Sequence, residues 1–174
     1  MRIIYFIIII VLISLSLQAQ DRLIFSGGYG AADVKNNEHK LYDFRVAGKN
    51  LSALIALNYS YLVYKQNIAL GVVSDDVTDS YINDVNFQLG RVFSFGSYSS
   101  LTLSTGIGLI FLKQEFRQSE PAWPEVERKD FSFPLGSSLY LGLLKNLGIS
   151  VHAKKSYNDI AEYFSYSIAV DIIF

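Results

Sequence analysis

Residues 101–111 read LTLSTGIGLIF. Leu101, Leu103, Thr105, Ile107, Leu109 and Phe111 fall on one side of an extended chain. Thr102, Ser104, Gly106, Gly108 and Ile110 fall on the other. Alternation of period two marks a strand, because a helix would scatter these residues around its circumference. One face is apolar, and the other is made of small uncharged residues. The same pattern runs through 51–63, where Leu51, Ala53, Ile55, Leu57, Tyr59, Tyr61 and Val63 oppose Ser52, Leu54, Ala56, Asn58, Ser60 and Leu62. It returns at 164–174, where Phe164, Tyr166, Ile168, Val170, Ile172 and Phe174 oppose Ser165, Ser167, Ala169, Asp171 and Ile173.

Extended along the chain, the pattern predicts eight strands, at about 22–32, 51–64, 67–74, 85–95, 100–113, 131–144, 147–155 and 163–174. Most reach the roughly 9–11 residues that a tilted strand needs to cross a bilayer. The connections between them alternate long and short. The short ones are Lys65-Gln66, Gly96 to Ser99, and Lys145-Asn146; the long ones are 33–50, 75–84, 114–130 and 156–162. In an up-and-down barrel this rhythm gathers the short turns at one end with both termini and the long loops at the other, as outer-membrane barrels do. The four long connections hold 21 of the chain's acidic and basic residues.

Alternation alone does not separate a membrane barrel from a soluble one. The polar face does: a water-facing outer wall would carry many Lys and Glu residues, whereas here it is Ser26, Gly28, Gly30, Asn58, Ser60, Ser104, Gly136, Ser138 and Ser150. Small residues suit the crowded lumen of an eight-stranded barrel. The bulky apolar face then meets lipid. Lipid cannot satisfy the hydrogen bonds of an edge strand, so the sheet must close. Tyr59, Tyr61, Tyr64, Phe93, Phe95, Phe131, Phe133, Tyr163, Phe164 and Phe174 lie near strand ends, as expected of interfacial girdles. The predicted class is thus all-β, an eight-stranded antiparallel up-and-down transmembrane barrel.

The totals agree. Charged residues are only 18% of the 174, against about 25% in ordinary soluble domains. Aromatics reach 14%, and the net charge of −1 draws the chain to no nucleic acid. The absence of cysteine excludes disulfides, thiolate metal sites and a Cys nucleophile. At the N-terminus, Arg2 precedes an apolar run from Ile3 to Leu17, which ends at Gln18-Ala19-Gln20. That run is shorter than the roughly 20 residues of a spanning helix. It reads as a cleaved signal peptide over 1–19, which leaves 20–174 as the barrel domain.

With these residues in hand, the chain resembles small outer-membrane barrels of the OmpX/OmpA transmembrane type, as a pattern over the whole of 20–174. The most specific element is Ile168-x-Val170-x-Ile172-x-Phe174, which looks like the C-terminal signal of that family. The resemblance implies recognition of Phe174 by the outer-membrane assembly machinery, a cell outer-membrane location in a Gram-negative bacterium, contact with lipid and lipopolysaccharide, and a monomer. The junction at 18–21 resembles signal ends common in the Bacteroidota.

Few residues stand out as sites. Asp171 is expected inside, near the terminal end, where a lone carboxylate would be costly to bury. Arg22 has inward parity on the neighbouring first strand, so a structural Arg22–Asp171 pair is expected in the lumen. Strict alternation sends Arg91 outward, to snorkel at the interface; a bulge at Gly90 would instead turn it inward as a second partner for Asp171, and that is the expectation adopted. His152 should line the lumen with Ser150 and Lys154, as a hydrogen-bonded rather than a catalytic group. Asp75, Asp76, Asp79 and Asp84 make an acidic loop without the spacing of a Ca²⁺ site. Trp123, held between Pro121 and Pro124, is a candidate anchor for an extracellular protein or glycan. No catalytic residue, metal site or cofactor is predicted. The leading function is a non-enzymatic barrel with a structural, adhesive or surface-binding role carried by its loops. A small pore, a lipid A-modifying enzyme and a soluble ligand carrier are the alternatives. Large inward residues at Leu54, Tyr140 and Leu144 argue against the pore.

Overall fold

Along the strands of the computed structural model, residues turned into the barrel alternate with residues turned out of it, save at register shifts between Val77 and Asp79 and between Gly142 and Leu144. Residues 22–34, 37–49, 52–65, 77–116 and 125–174 are described. They form β1 (Arg22–Val34), β2 (Asn37–Lys49), β3 (Ala53–Lys65), β4 (Val77–Ser94), β5 (Ser99–Phe116), β6 (Glu125–Leu144), β7 (Leu147–Tyr157) and β8 (Tyr163–Ile173). Each pairs antiparallel with the next, and β8 returns to β1 to close the barrel, with Ser26 opposite Asp171 and Gly30 opposite Ser167. The seam is finished by reciprocal backbone bonds between Leu23 and Phe174, of 3.1 and 2.8 Å.

The outward set is Leu, Ile, Val, Phe and Tyr, as the alternation predicted; the inward set holds the expected Ser, Thr, Asn, Ala and Gly, but also Ile, Leu and Val towards both ends and charged side chains between them. Along β8 the outward residues run from Phe164 to Phe174. Eleven residues at about 3.4 Å each, tilted by about 40°, climb roughly 28 Å, which matches the ~25 Å apolar band of an outer-membrane barrel. Water could not solvate such a band, so this face belongs in a bilayer. The short β4–β5 turn is closed by the Phe95 amide on the Ser99 carbonyl (2.9 Å), with Gly96 at φ 83°, where its missing Cβ removes the strain.

The strand count matches the expectation, but its composition does not. Residues 37–49, read from sequence as part of a long loop, form β2, and only two residues connect it to β1. The strand predicted at 67–74 lies outside the described residues. One consequence is that β3 runs in the opposite sense to that expected. Lys65 stands at the end away from the termini, so Lys65-Gln66 is not a turn of the terminal end. The terminal end instead carries the connections at 50–52, 95–98 and 145–146. The three longest connections, at 66–76, 117–124 and 158–162, all lie at the opposite end, so the predicted asymmetry stands on a corrected set.

Strands β4, β5 and β6 are the longest, at 18, 18 and 20 residues. Their extra length lies at the long-connection end. Beyond Phe133, which pairs with Tyr157, residues 125–132 of β6 are paired with β5 on one side and with no strand on the other. The barrel wall therefore continues outward as a sheet with one open edge.

Candidate functional site

The lumen is layered. At the long-connection end an apolar cluster of Ala32, Val34, Leu41, Leu62, Ile82, Ile110, Leu112, Ala161 and Tyr163 fills the mouth. The β7–β8 connection helps to close it: Asn158 Oδ1 accepts the amides of Ile160 and Ala161, folding a turn that sets Ile160 against this cluster. At the terminal end Ile24, Ala47, Leu54, Ala56, Val92 and Ile173 form a second cluster, with Tyr140 packed on it. Leu144, expected to join it, is 66% exposed, because the β6–β7 register shifts between Gly142 and Leu144.

Between the clusters lies a polar belt. Asp84 is fully buried. Its carboxylate accepts from Asn86 (3.1 Å), Ser132 (3.0 Å), Lys154 (3.3 Å), Ser156 (3.4 Å) and the Tyr163 hydroxyl. Lys154 also donates to Ser60 Oγ (2.6 Å), and Ser60 donates to Asp43 (2.7 Å). From Asp84 the chain of bonds continues through Asn86 to Asn58 (3.2 Å) and on to Arg45 Nε (2.7 Å). Gln88 and Ser104 extend it to β5. The belt thus ties seven of the eight strands across the lumen, and its ions are countered by hydrogen bonds and opposite charges, as burial requires.

Several expected site residues are placed otherwise. Asp171 is buried and inward, as predicted, and accepts from Ser150 Oγ (3.0 Å). Arg22 keeps its inward parity but is exposed at the first position of β1, four residues before the rung of Asp171, and no ion pair joins the two. The cations that share a small luminal cavity with Asp171 are Arg45 and Lys49 of β2. Lys49 donates to Ser100 Oγ (2.6 Å) and lies over the Tyr140 ring. Arg91 is outward and exposed: Leu89, Gly90, Arg91 and Val92 pair in unbroken register with Thr105, Ser104, Leu103 and Thr102, so no bulge turns it in. Asp84, read as a loop residue, is the centre of the belt. Tyr163, read as part of the girdle, points inward. Trp123 and the acidic run at Asp75 and Asp76 lie outside the described residues.

His152 is buried, as expected, and its Nε2 contacts Ser150 Oγ. The one Ser150 proton goes to Asp171, since a carboxylate only accepts. His152 therefore donates to Ser150 instead of drawing a proton from it. A nucleophilic triad needs the reverse order, with the carboxylate on the far ring nitrogen. Here that atom, His152 Nδ1, has no partner. No group of three or more His, Asp or Glu arranged to hold a metal occurs among the described residues.

With an eight-stranded closed barrel, a packed lumen and an apolar outer face established, solved structures give the comparison. The barrel is similar to Neisserial surface protein A, with a TM-score of 0.66, 7% identity, and 88% of this chain and 96% of that one covered. It is also similar to Ail, the attachment invasion locus protein of Yersinia pestis, with a TM-score of 0.61, 14% identity and coverage of 88% and 97%. The chain has the fold of the small outer-membrane barrels. Ail has also been solved in complex with a heparin analogue, sucrose octasulfate. The outer membrane enzyme PagL shares the fold more distantly, with a TM-score of 0.50, 14% identity and coverage of 86% and 98%. No family model and no curated protein sequence matches the chain.

Proposed function

We propose that the chain is a non-enzymatic barrel of the Gram-negative outer membrane that binds partners through the sheet it projects beyond the membrane. The observation that carries this reading is the open edge of β6. Residues 125–132 lie past the last rung shared with β7, so one row of their amides and carbonyls is free of strand partners. An extended segment of another protein pairs with such an edge through main-chain hydrogen bonds, and side chains set the specificity. The stretch is dense in charge, with Glu127, Arg128, Lys129 and Asp130, which discourages indiscriminate pairing of edges. Its base is buttressed: Asp130 caps the Phe131 amide (2.7 Å) and accepts from the Asp159 amide (2.9 Å). Ail's complex with a sulfated saccharide supports a glycan as the alternative occupant of this outer region. The Ser150–His152 order supports the non-enzymatic reading. Phe174 serves the assembly machinery before the barrel closes.

The test is adhesion of bacteria that display the full chain, compared with the same strain without it, on immobilised protein and sulfated-glycan surfaces. Replacement of residues 111–129 by a two-residue Asn-Gly turn, which joins Ile110 to its rung partner Asp130 and removes Trp123 together with most of the open edge, should abolish the difference while the unboiled protein keeps its fast electrophoretic mobility. Trp123→Ala isolates the aromatic tip. Adhesion equal with and without the chain sinks the proposal.

A further inference from the structure

The open edge of β6 has a fixed register and a fixed order of charges. In an antiparallel ladder, alternate residues turn both main-chain groups to the same side. The Gly142 amide donates to the carbonyl of Tyr98, the residue before β5 (2.6 Å), and β6 holds one register against β5 from Leu141 out to Glu125. Even-numbered residues of β6 therefore bond towards β5. Glu125, Glu127, Lys129 and Phe131 turn their N–H and C=O groups to the open side. At the base Asp130 Oδ1 closes the Phe131 amide (2.7 Å), so the edge that is free among the described residues begins at Lys129. The side chains of Glu127, Arg128 and Lys129 are exposed. Glu127 lies opposite Lys113 of β5, but Lys129 lies opposite Phe111, which offers its ammonium no counter-charge.

We infer that this edge pairs with the same edge of a second copy of the chain, held in a facing membrane. Two copies related by a two-fold axis make a contact in which residue i meets j and j meets i. Copies that face each other across two membranes bring β6 to β6 antiparallel. With the axis at Arg128, Glu127 of each copy meets Lys129 of the other, and their main-chain groups bond across the joint. Both of these rungs join opposite charges. The two Arg128 side chains meet at the axis on the other face of the sheet, with Asp130 of the other copy on the diagonal, within reach of a long side chain. Copies side by side in one membrane would instead bring β6 to β6 parallel, with Glu127 against Glu127 and Lys129 against Lys129, and like charges directly opposite are destabilising. The charge order therefore selects the facing arrangement, and each barrel stays a monomer in its own membrane. The inference rests on the reading of the edge as a binding surface and names the segment that it binds.

The mature barrel is folded into two populations of phosphatidylcholine vesicles that carry different dyes, and cross-linking of the populations is followed by energy transfer between the dyes. Wild-type vesicles should cross-link. Glu127→Lys and Lys129→Glu each set like charges on both rungs, and each alone should slow cross-linking about tenfold. In a mixture of the two variants every rung again joins opposite charges, so cross-linking between the populations should return to the wild-type rate. The double variant Glu127→Lys with Lys129→Glu should cross-link with itself in the same way. All variants are checked for the fast mobility of the unboiled barrel. Wild-type vesicles that stay apart, single variants as fast as wild type, or a mixture as slow as the single variants overturns the inference. Vesicles that bind immobilised protein or sulfated glycan but not one another overturn the inference alone; vesicles that bind none of the three reject the edge reading as well.

Discussion

Asp84 accepts from five side chains, contributed by β4, β6, β7 and β8, while among the described residues Lys154 has Asp84, Ser60 and the face of the Tyr163 ring. The two partners are therefore unequal. Asp84→Ala strands a buried ammonium with one hydroxyl, and should cost about 3–5 kcal/mol. Lys154→Met leaves the carboxylate four donors, and should cost less, about 1–3 kcal/mol. The double variant Asp84→Asn with Lys154→Met should recover much of the loss, because no unpaired charge remains. Urea unfolding in lipid vesicles, followed by the folded band in unboiled electrophoresis, measures all three. Equal costs for the two single changes would show that the belt does not work as described. Arg91, outward near the terminal end, contrasts with this pair: its long stem lets the guanidinium reach the headgroups, so its charge needs no protein partner.

Closure of the barrel depends on how near β1 and β8 approach. At Gly30 a Cβ would stand 2.6 Å from Ser167 Cα and overlap the Tyr166 carbonyl, so the seam is built around the missing side chain. Three residues earlier on the same strand, Gly27 faces outward into open space. Gly30→Ala should therefore destabilise the folded barrel by about 1–3 kcal/mol through forced strand separation. Gly27→Ala should be neutral or slightly stabilising, since glycine is a poor strand former. A lower urea midpoint for the first and not the second, in the same vesicles, checks the prediction; equal midpoints would place the tight approach elsewhere. The tongue of β4–β6 has no such constraint at its outer edge, which leaves the edge available for pairing.

Two apolar clusters seal the barrel at either end of the polar belt, and the cavity lined by Arg45, Lys49 and Asp171 holds only about 20 Å³. That is close to the volume of one water-sized probe. An ion entering would have to leave its hydration shell at both clusters. Reconstituted into a planar bilayer, the protein should give baseline conductance, and steady single-channel currents would refute a sealed lumen.

The sequence by itself determined that the chain is a closed, lipid-facing barrel of antiparallel strands. Period-two alternation is local, and Leu101–Phe111 or Phe164–Phe174 shows it without any neighbour. The direction of its faces was equally legible, because small uncharged residues opposite bulky apolar ones admit one arrangement in lipid. The charged part of the lumen was not legible. In β2, Asp43, Arg45 and Lys49 hold inward positions, and a segment with so many charges reads as a loop when each is judged alone. Asp84 was misplaced for the same reason. Its burial is tolerable only because Lys154, 70 residues away, and Tyr163, 79 residues away, converge on it. Parity along one strand is a property of that strand, but the cost of burying an ion is set by partners that distant strands supply. Only the tertiary structure decided which strands these were, and with them the polar belt, the sealed lumen and the open edge of β6.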